Sequence, residues 1–401
     1  MLTKLHNIRQ LVSYNTIADR MEILEGVEIL VKNGTIEHIG NNLNAADVNI
    51  NCKDMLVSPG FVDCHTHPVF YKNRREEFIM RTEGMTYEEI ASNGGGINKS
   101  VTDLRNANEE ELLNLVKARM DRFLAFGTTT VECKSGYGLD TESEIKSLKV
   151  IHDVNKIHDI DMIATFMGAH SFPEEFIHEK DKYVDLICDE MIPEVAKQGL
   201  AVFNDVFCEK NYFNLKQSER ILEVGKKYGL HPRVHADEFN DIGGAKLAAK
   251  VNCITADHLM EISDEGIFEL FKKKVIATLL PGTTFFLGKS KYAPFKKLKD
   301  AGVDVALATD YNPGSCNIQS MPFIISLACI YFNMSILDAF KAATYISSRA
   351  LMLDNKIGSI EKGKNADIII WNINNINEIP YRINSHPIQK VLKNGQPVIT
   401  S

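Results

Sequence analysis

The chain has 401 residues, 44% of them hydrophobic and 24% charged, with a formal net charge of -8. This is ordinary globular composition on a length that suits two domains or one large barrel with an accessory piece, and the lack of any basic excess excludes nucleic acid as an expected partner. No apolar run approaches the roughly 20 residues that span a bilayer, and the opening stretch "MLTKLHNIRQ" lacks the apolar core of a signal peptide.

The first sixty residues alternate short apolar runs with turn residues. "VEILVKNGTIEHIG" reads as a hairpin around Asn33-Gly34, a pair that tolerates the positive φ of a two-residue loop. Between residues 61 and 354 apolar strand candidates alternate with amphipathic helices. Eight strands are predicted: "GFVDCHTH", "TTTVECKSG", "IATFMGAH", "AVFNDVFC", "HPRVHADEF", "CITADHLM", "VIATLLPG" and "DVALATDYN". That is the count of a (β/α)8 barrel of the α/β class. Two of the helices carry local signals. "NEEELLNLVKARMDRFLAFG" puts acids in its first turn, where the helix dipole favours them, and turns Leu113, Val116, Met120 and Phe123 to the core. "TESEIKSLKVIHDV" opens with Thr141 and Glu144 in capping-box spacing and sets Ile145, Leu148 and Ile151 inward. Past residue 354 the short-strand texture returns, with a second turn at Asn394-Gly395. The ends read as two parts of one small β-domain or as separate hairpins. The eight cysteines include no C-x-x-C pair, and a chain this long needs no disulfide staples, so they read as thiols in a reducing cytoplasm.

A barrel of this kind keeps its active site at the C-terminal strand ends. There the sequence sets His65 and His67 on strand one, His170 on strand three, His235 on strand five, His258 on strand six and Asp310 on strand eight. Five of the twelve histidines thus gather at one mouth. His65 and His67, spaced i and i+2, share a face in extended chain and can chelate one ion. His170, taken alone, reads equally well as a core residue, and His152, His158 and His178 fall on helices or loops and are given no role. Three imidazoles and a carboxylate suit Zn²⁺ and also hold Fe. Water on such an ion has its pKa lowered to about 7 and becomes a nucleophile. Glu238, in "HADEF", is placed to act as base, and His258 to orient the water or stabilise charge on an attacked carbonyl. "KSGYGLD" reads as a flexible loop presenting Tyr137, and "SNGGGINKS" as a mobile loop at the mouth. Arg74 is placed to pair with a substrate carboxylate, although such an arginine is more often a surface residue.

On "PGFVDCHTHPVF", "VECKSGYGLD", "TFMGAH", "VHADEF", "ADHL", "LLPG", "ALATDYNPGS" and "IPYRINSHP", the chain resembles the imidazolonepropionase family of the amidohydrolase superfamily over essentially its whole length. The H-x-H pair marks only the superfamily; "KSGYGLD", "HADEF" and "ATDYNPGS" together are far more specific. The resemblance implies hydrolysis of 4-imidazolone-5-propanoate to N-formimidoyl-L-glutamate in histidine degradation, by a metal-activated water. It implies one Zn²⁺ or Fe³⁺ per subunit on His65, His67, His235 and Asp310, with Glu238, His258 and Asp310 in the catalytic proton transfers. By the same carry-over Arg74, Tyr137, His170 and Glu238 contact the imidazolone, and Asn312, Gly314 and Ser315 contact substrate or product. It also implies a (β/α)8 barrel (61–354) beside a small composite β-sandwich (1–60 and 355–401), in a cytoplasmic homodimer with no membrane or nucleic-acid partner. The chain departs from the pattern at Tyr71-Lys72-Asn73, where relatives often carry glycines, and at Glu238, where many carry glutamine. The rivals are an aminohydrolase acting on a nucleobase-like ring, a cyclic amidase that bridges two metals with a lysine, and a metal-carrying protein without activity. For the amidase, Lys134 falls on the wrong strand and Lys210 past a strand end.

Overall fold

The computed structural model describes all residues except 86–88, 91–94, 384, 386 and 401. Eight parallel strands follow one another in chain order: Phe61–Asp63, Thr128–Lys134, Asp161–Ala169, Phe203–Cys208, His231–Ala236, Thr255–His258, Ile276–Leu279 and Val305–Leu307. Helices cover their outer face and side chains fill the inside, so Thr128–Lys134 is buried at every position. This burial is why the strands read as near-continuous apolar or β-branched runs.

The barrel closes between its last and first strands. Asp310 N donates to His65 O (3.0 Å) and His67 N donates to Tyr311 O (2.8 Å). Thr309 adds its N–H and hydroxyl to the Asp63 carboxylate, at 3.1 and 2.6 Å. The seam thereby brings residues some 245 positions apart side by side, among them His65, His67 and Asp310.

The outer helices follow their sequence signals with two differences. Asn108 caps Glu109–Ala125 by accepting from the N–H groups of Glu110 and Glu111, and Val116, Met120 and Phe123 are buried as expected. Leu112, not Leu113, is the fully buried leucine of that turn; Leu113 packs at its edge. Helix Thr141–Ile157 is capped by Asp140, which accepts from Ser143 N at 2.7 Å. The expected box between Thr141 and Glu144 does not form, because the Glu144 carboxylate turns inward to the loop before the helix. Ile145, Leu148 and Ile151 are buried.

The two chain ends meet, so they are not separate hairpins. A six-stranded sheet has the order Gln396–Thr400, Ile388–Lys393, Ile368–Trp371, Leu56–Pro59, Gln10–Asn15, Arg20–Leu24. A four-stranded sheet, Thr35–Gly40, Glu28–Lys32, Leu2–His6, Val48–Asn51, packs on it. Leu5, Ile29, Val31 and Ile36 of the smaller sheet share a core with Leu11, Val57, Ile368, Ile370 and Leu392 of the larger. Both hairpin turns take two positive φ angles, 51° and 86° at Asn33-Gly34 and 47° and 73° at Asn394-Gly395. Buried Trp371 ties this sandwich to the barrel through its ring, whose centroid lies 5.8 Å from that of Phe61, while its indole N–H donates to Ser58 Oγ within the larger sheet.

Candidate metal centre and active site

Five side chains expected at the mouth do converge there: His65, His67, His235, His258 and Asp310, each buried. The Nε2 atoms of His65 and His67 each lie 3.5 Å from Asp310 Oδ1. His67 Nε2 and His235 Nε2 are 3.3 Å apart. Ligand atoms of His65, His67 and Asp310 lie within 4.8 Å of one another, and so do those of His65, His235 and His258. Two of the rings have their other nitrogen committed: His65 Nδ1 is 2.7 Å from Asp257 Oδ2, and His235 Nδ1 is 3.1 Å from Asp205 Oδ1. With Nδ1–H donated to a carboxylate, each of these two rings offers its Nε2 lone pair to the centre.

Electrostatics favour a cation here. Burial, reinforced by neighbouring cationic and imidazole groups, holds His65, His67 and His258 well below the usual histidine range, so they stand neutral. Burial pushes Asp310 up to about 6. Burial and then the Asp310 charge push Glu238 up to about 8. His65 Nε2 is buried with no hydrogen-bond partner, a costly state for a polar atom. Converging lone pairs, one of them orphaned, beside carboxylates held against ionisation fit a cation that prefers nitrogen and oxygen ligands.

Below this centre lies a buried polar layer that sequence reasoning missed. Lys134 Nζ is 2.7 Å from both Glu132 Oε1 and Asp205 Oδ2. Arg233 Nη2 donates to Cys64 O at 2.6 Å and lies 3.5 Å from Asp257 Oδ2. Thr283 donates its hydroxyl to Asp310 Oδ2. The available signal was charge in otherwise apolar strands: "VECK", "NDVF", "PRVH" and "TADH". Lys134 is committed to two ion pairs and Lys210 is exposed, so neither stands ready to bridge two metals.

Beside His67 and His170, "KSGYGLD" is not the flexible loop expected. Residues 134–139 are buried, and Glu144 accepts hydrogen bonds from the N–H groups of Gly136, Gly138 and Leu139. Tyr137 is buried with its ring centroid 5.2 Å from that of His170. His170 stacks on His67 at 4.9 Å, donates from Nδ1 to Gly136 O (2.9 Å), and is pushed down to about 3, chiefly by burial.

Arg74 is not a surface residue. Its side chain is 9% exposed and 3.6 Å from Glu77, and its Nε and Nη1 are buried without hydrogen-bond partners. Gly314 lies against it so closely that a Cβ would fall 1.5 Å from Nη2. Asn312 is spent inside the turn: Oδ1 accepts from the N–H groups of Gly314, Ser315 and Cys316, and Nδ2 donates to Asp310 O and Ser315 Oγ. Glu238 Oε1 lies 3.7 Å from His258 Nδ1. Of "SNGGGINKS", residues 92–94 lie outside the described residues; Gly96 N donates to Glu77 Oε1. His152 and His178 are exposed and His158 pairs with Asp121.

A model of the amidohydrolase family matches residues 56–398. The imidazolonepropionase of Geobacillus kaustophilus is 46% identical, covering 94% of this chain and 91% of that protein. That of Alkaliphilus metalliredigens is 44% identical over 94% and 92%, and that of Clostridium tetani 42% over 95% and 92%. Among solved structures, a triazine hydrolase superposes with a TM-score of 0.79 at 17% identity, over 100% of this chain and 95% of that one. A guanine deaminase from C. acetobutylicum with bound guanine gives 0.72 at 17%, over 100% of both chains. At such identities these two speak for the fold alone. The closing seam that assembles the centre, the matched span and the identities lead to one assignment: the chain belongs to the imidazolonepropionase family of the amidohydrolases.

Proposed function

We propose that the chain hydrolyses 4-imidazolone-5-propanoate to N-formimidoyl-L-glutamate, a step of histidine degradation. The observation that carries the reading is identity of 42 to 46% to imidazolonepropionases over nearly the whole chain. It is supported by a buried, under-partnered guanidinium at the same mouth, a fitting receptor for the propanoate carboxylate. One water enters, the ring C–N bond beside the carbonyl breaks, and no ammonia leaves.

His65, His67, His235 and Asp310 would hold one Zn²⁺ or Fe³⁺ per chain. When bound, such a cation supplies Lewis acidity and lowers the pKa of water beside it. Asp257 and Asp205 keep the Nε2 atoms of His65 and His235 free to ligate. Glu238, ionised, accepts a proton from the attacking water. His258, beside it, orients the water or stabilises the developing oxyanion, and the proton taken up by Glu238 passes by way of His258 or Asp310 to the departing ring nitrogen. Arg74 binds the carboxylate, with Gly314 and Ser315 shaping the wall around it. Tyr137, His170 and Glu238 hold the ring.

The family resemblance supports a homodimer, and eight unpaired cysteines suit a reducing cytoplasm. Incubation with the imidazolone tests the function: ring absorbance should disappear without ammonia release. Ammonia as product would favour a deaminase, and an unchanged ring would contradict the reading.

A further inference from the structure

Glu144 lies in the first turn of helix Thr141–Ile157 and is fully buried. The helix does not need it, since Asp140 supplies the cap. Its oxygens instead accept from Gly136 N (3.0 and 3.1 Å), Gly138 N (2.8 Å) and Leu139 N (2.9 Å). From the other side Arg105 donates to Gly138 O (2.7 Å) and Leu139 O (3.1 Å). Amides and carbonyls of one loop are thus held by opposite charges. Leu139 sits at a φ of 54°, which a leucine disfavours, so the loop keeps its shape only because it is held.

The held loop bears on the reaction at two points. Gly136 O accepts from His170 Nδ1, which fixes the tautomer and leaves Nε2 as the acceptor facing away from the loop. Tyr137, one residue on, packs its ring beside His170. We propose that Glu144 is a positioning residue that, through the backbone of residues 136–139, fixes His170 and Tyr137 and so sets affinity for the imidazolone ring. The proposal rests on the substrate reading above.

The test compares the parent with Glu144→Ala and Glu144→Gln for kcat, KM and metal content. It adds calorimetric affinity for imidazole-4-propanoate, which keeps ring and carboxylate but has no carbonyl to attack. Glu144→Ala should raise KM and the analogue Kd about tenfold, the loss of roughly one hydrogen bond, with kcat less affected and metal unchanged. Glu144→Gln, which keeps an acceptor oxygen, should recover most of this. Gly136→Ala leaves Glu144 in place but strains the loop backbone at its φ of 104° and puts a Cβ 3.0 Å from both His170 Nδ1 and Met167 O; it should reproduce the same split even if Glu144→Ala fails to fold. Analogue affinity near the parent's in these variants overturns the proposal. So does loss of kcat and metal together at unchanged KM. The parent's own turnover reports on the substrate reading, and the ratio of variant to parent on Glu144.

Discussion

At Glu238, burial and the Asp310 carboxylate both favour the proton and hold the group up at about 8. A cation among the neighbouring ligands acts in the opposite direction, so ionisation in the loaded enzyme falls below that value. A base works ionised, and kcat/KM should therefore climb with pH along an acid limb lying below about 8. Glu238→Gln should remove that limb and lower kcat roughly 10²- to 10⁴-fold. Turnover near the parent's, with the limb intact, would assign the proton to His258. At this scale the mouth was legible, because imidazoles and a carboxylate at strand ends have few structural reasons to gather. Their supports were not. Asp257 reaches His65 across 192 residues and Asp205 reaches Lys134 across 71, separations at which a sequence shows no pairing. Asn312 illustrates a second difficulty: the turn that its side chain builds through Gly314, Ser315 and Cys316 has no signature in the sequence.

The elements themselves were readable where a period or a turn chemistry fixes them. Eight apolar runs alternating with helices give the barrel, and two Asn-Gly pairs give the hairpins. The loop of residues 134–140 was misread because glycine signals freedom as well as close approach. Gly136 has a φ of 104°, and a Cβ on Gly138 would lie 2.6 Å from Glu144 N, so both glycines serve tight packing. The cap of the following helix was misplaced by one residue for a related reason: the Glu144 carboxylate satisfies loop amides instead of its own helix. Caps remote from the mouth should affect stability alone. Asn108→Ala is expected to cost about 1 kcal/mol in chemical denaturation while leaving kcat and KM at parent values. A change in KM would show that helix Glu109–Ala125 reaches the site.

Across the whole molecule, closure does two jobs at once. The seam between the first and eighth strands completes the barrel and assembles His65, His67 and Asp310, so the centre exists only in the folded chain. A net charge of -8 does not draw in an anionic propanoate, so the proposed reading makes recognition local, at the under-partnered guanidinium of Arg74. The meeting of both chain ends in one sheet was suggested by their texture but decided only by the pairing of Leu56–Pro59 with Ile368–Trp371. Because a ligand bound only by the folded state stabilises it, removing the cation should lower the thermal midpoint as well as abolish turnover. The most direct measurement strips the protein with a chelator and restores Zn²⁺ or iron in steps, recording bound metal per chain and imidazolone hydrolysis in the same samples. The stripped protein should be inactive, and its activity should rise linearly and level at about one ion per chain. Undiminished hydrolysis without metal, or a plateau at about two ions, would contradict the proposed single-metal centre.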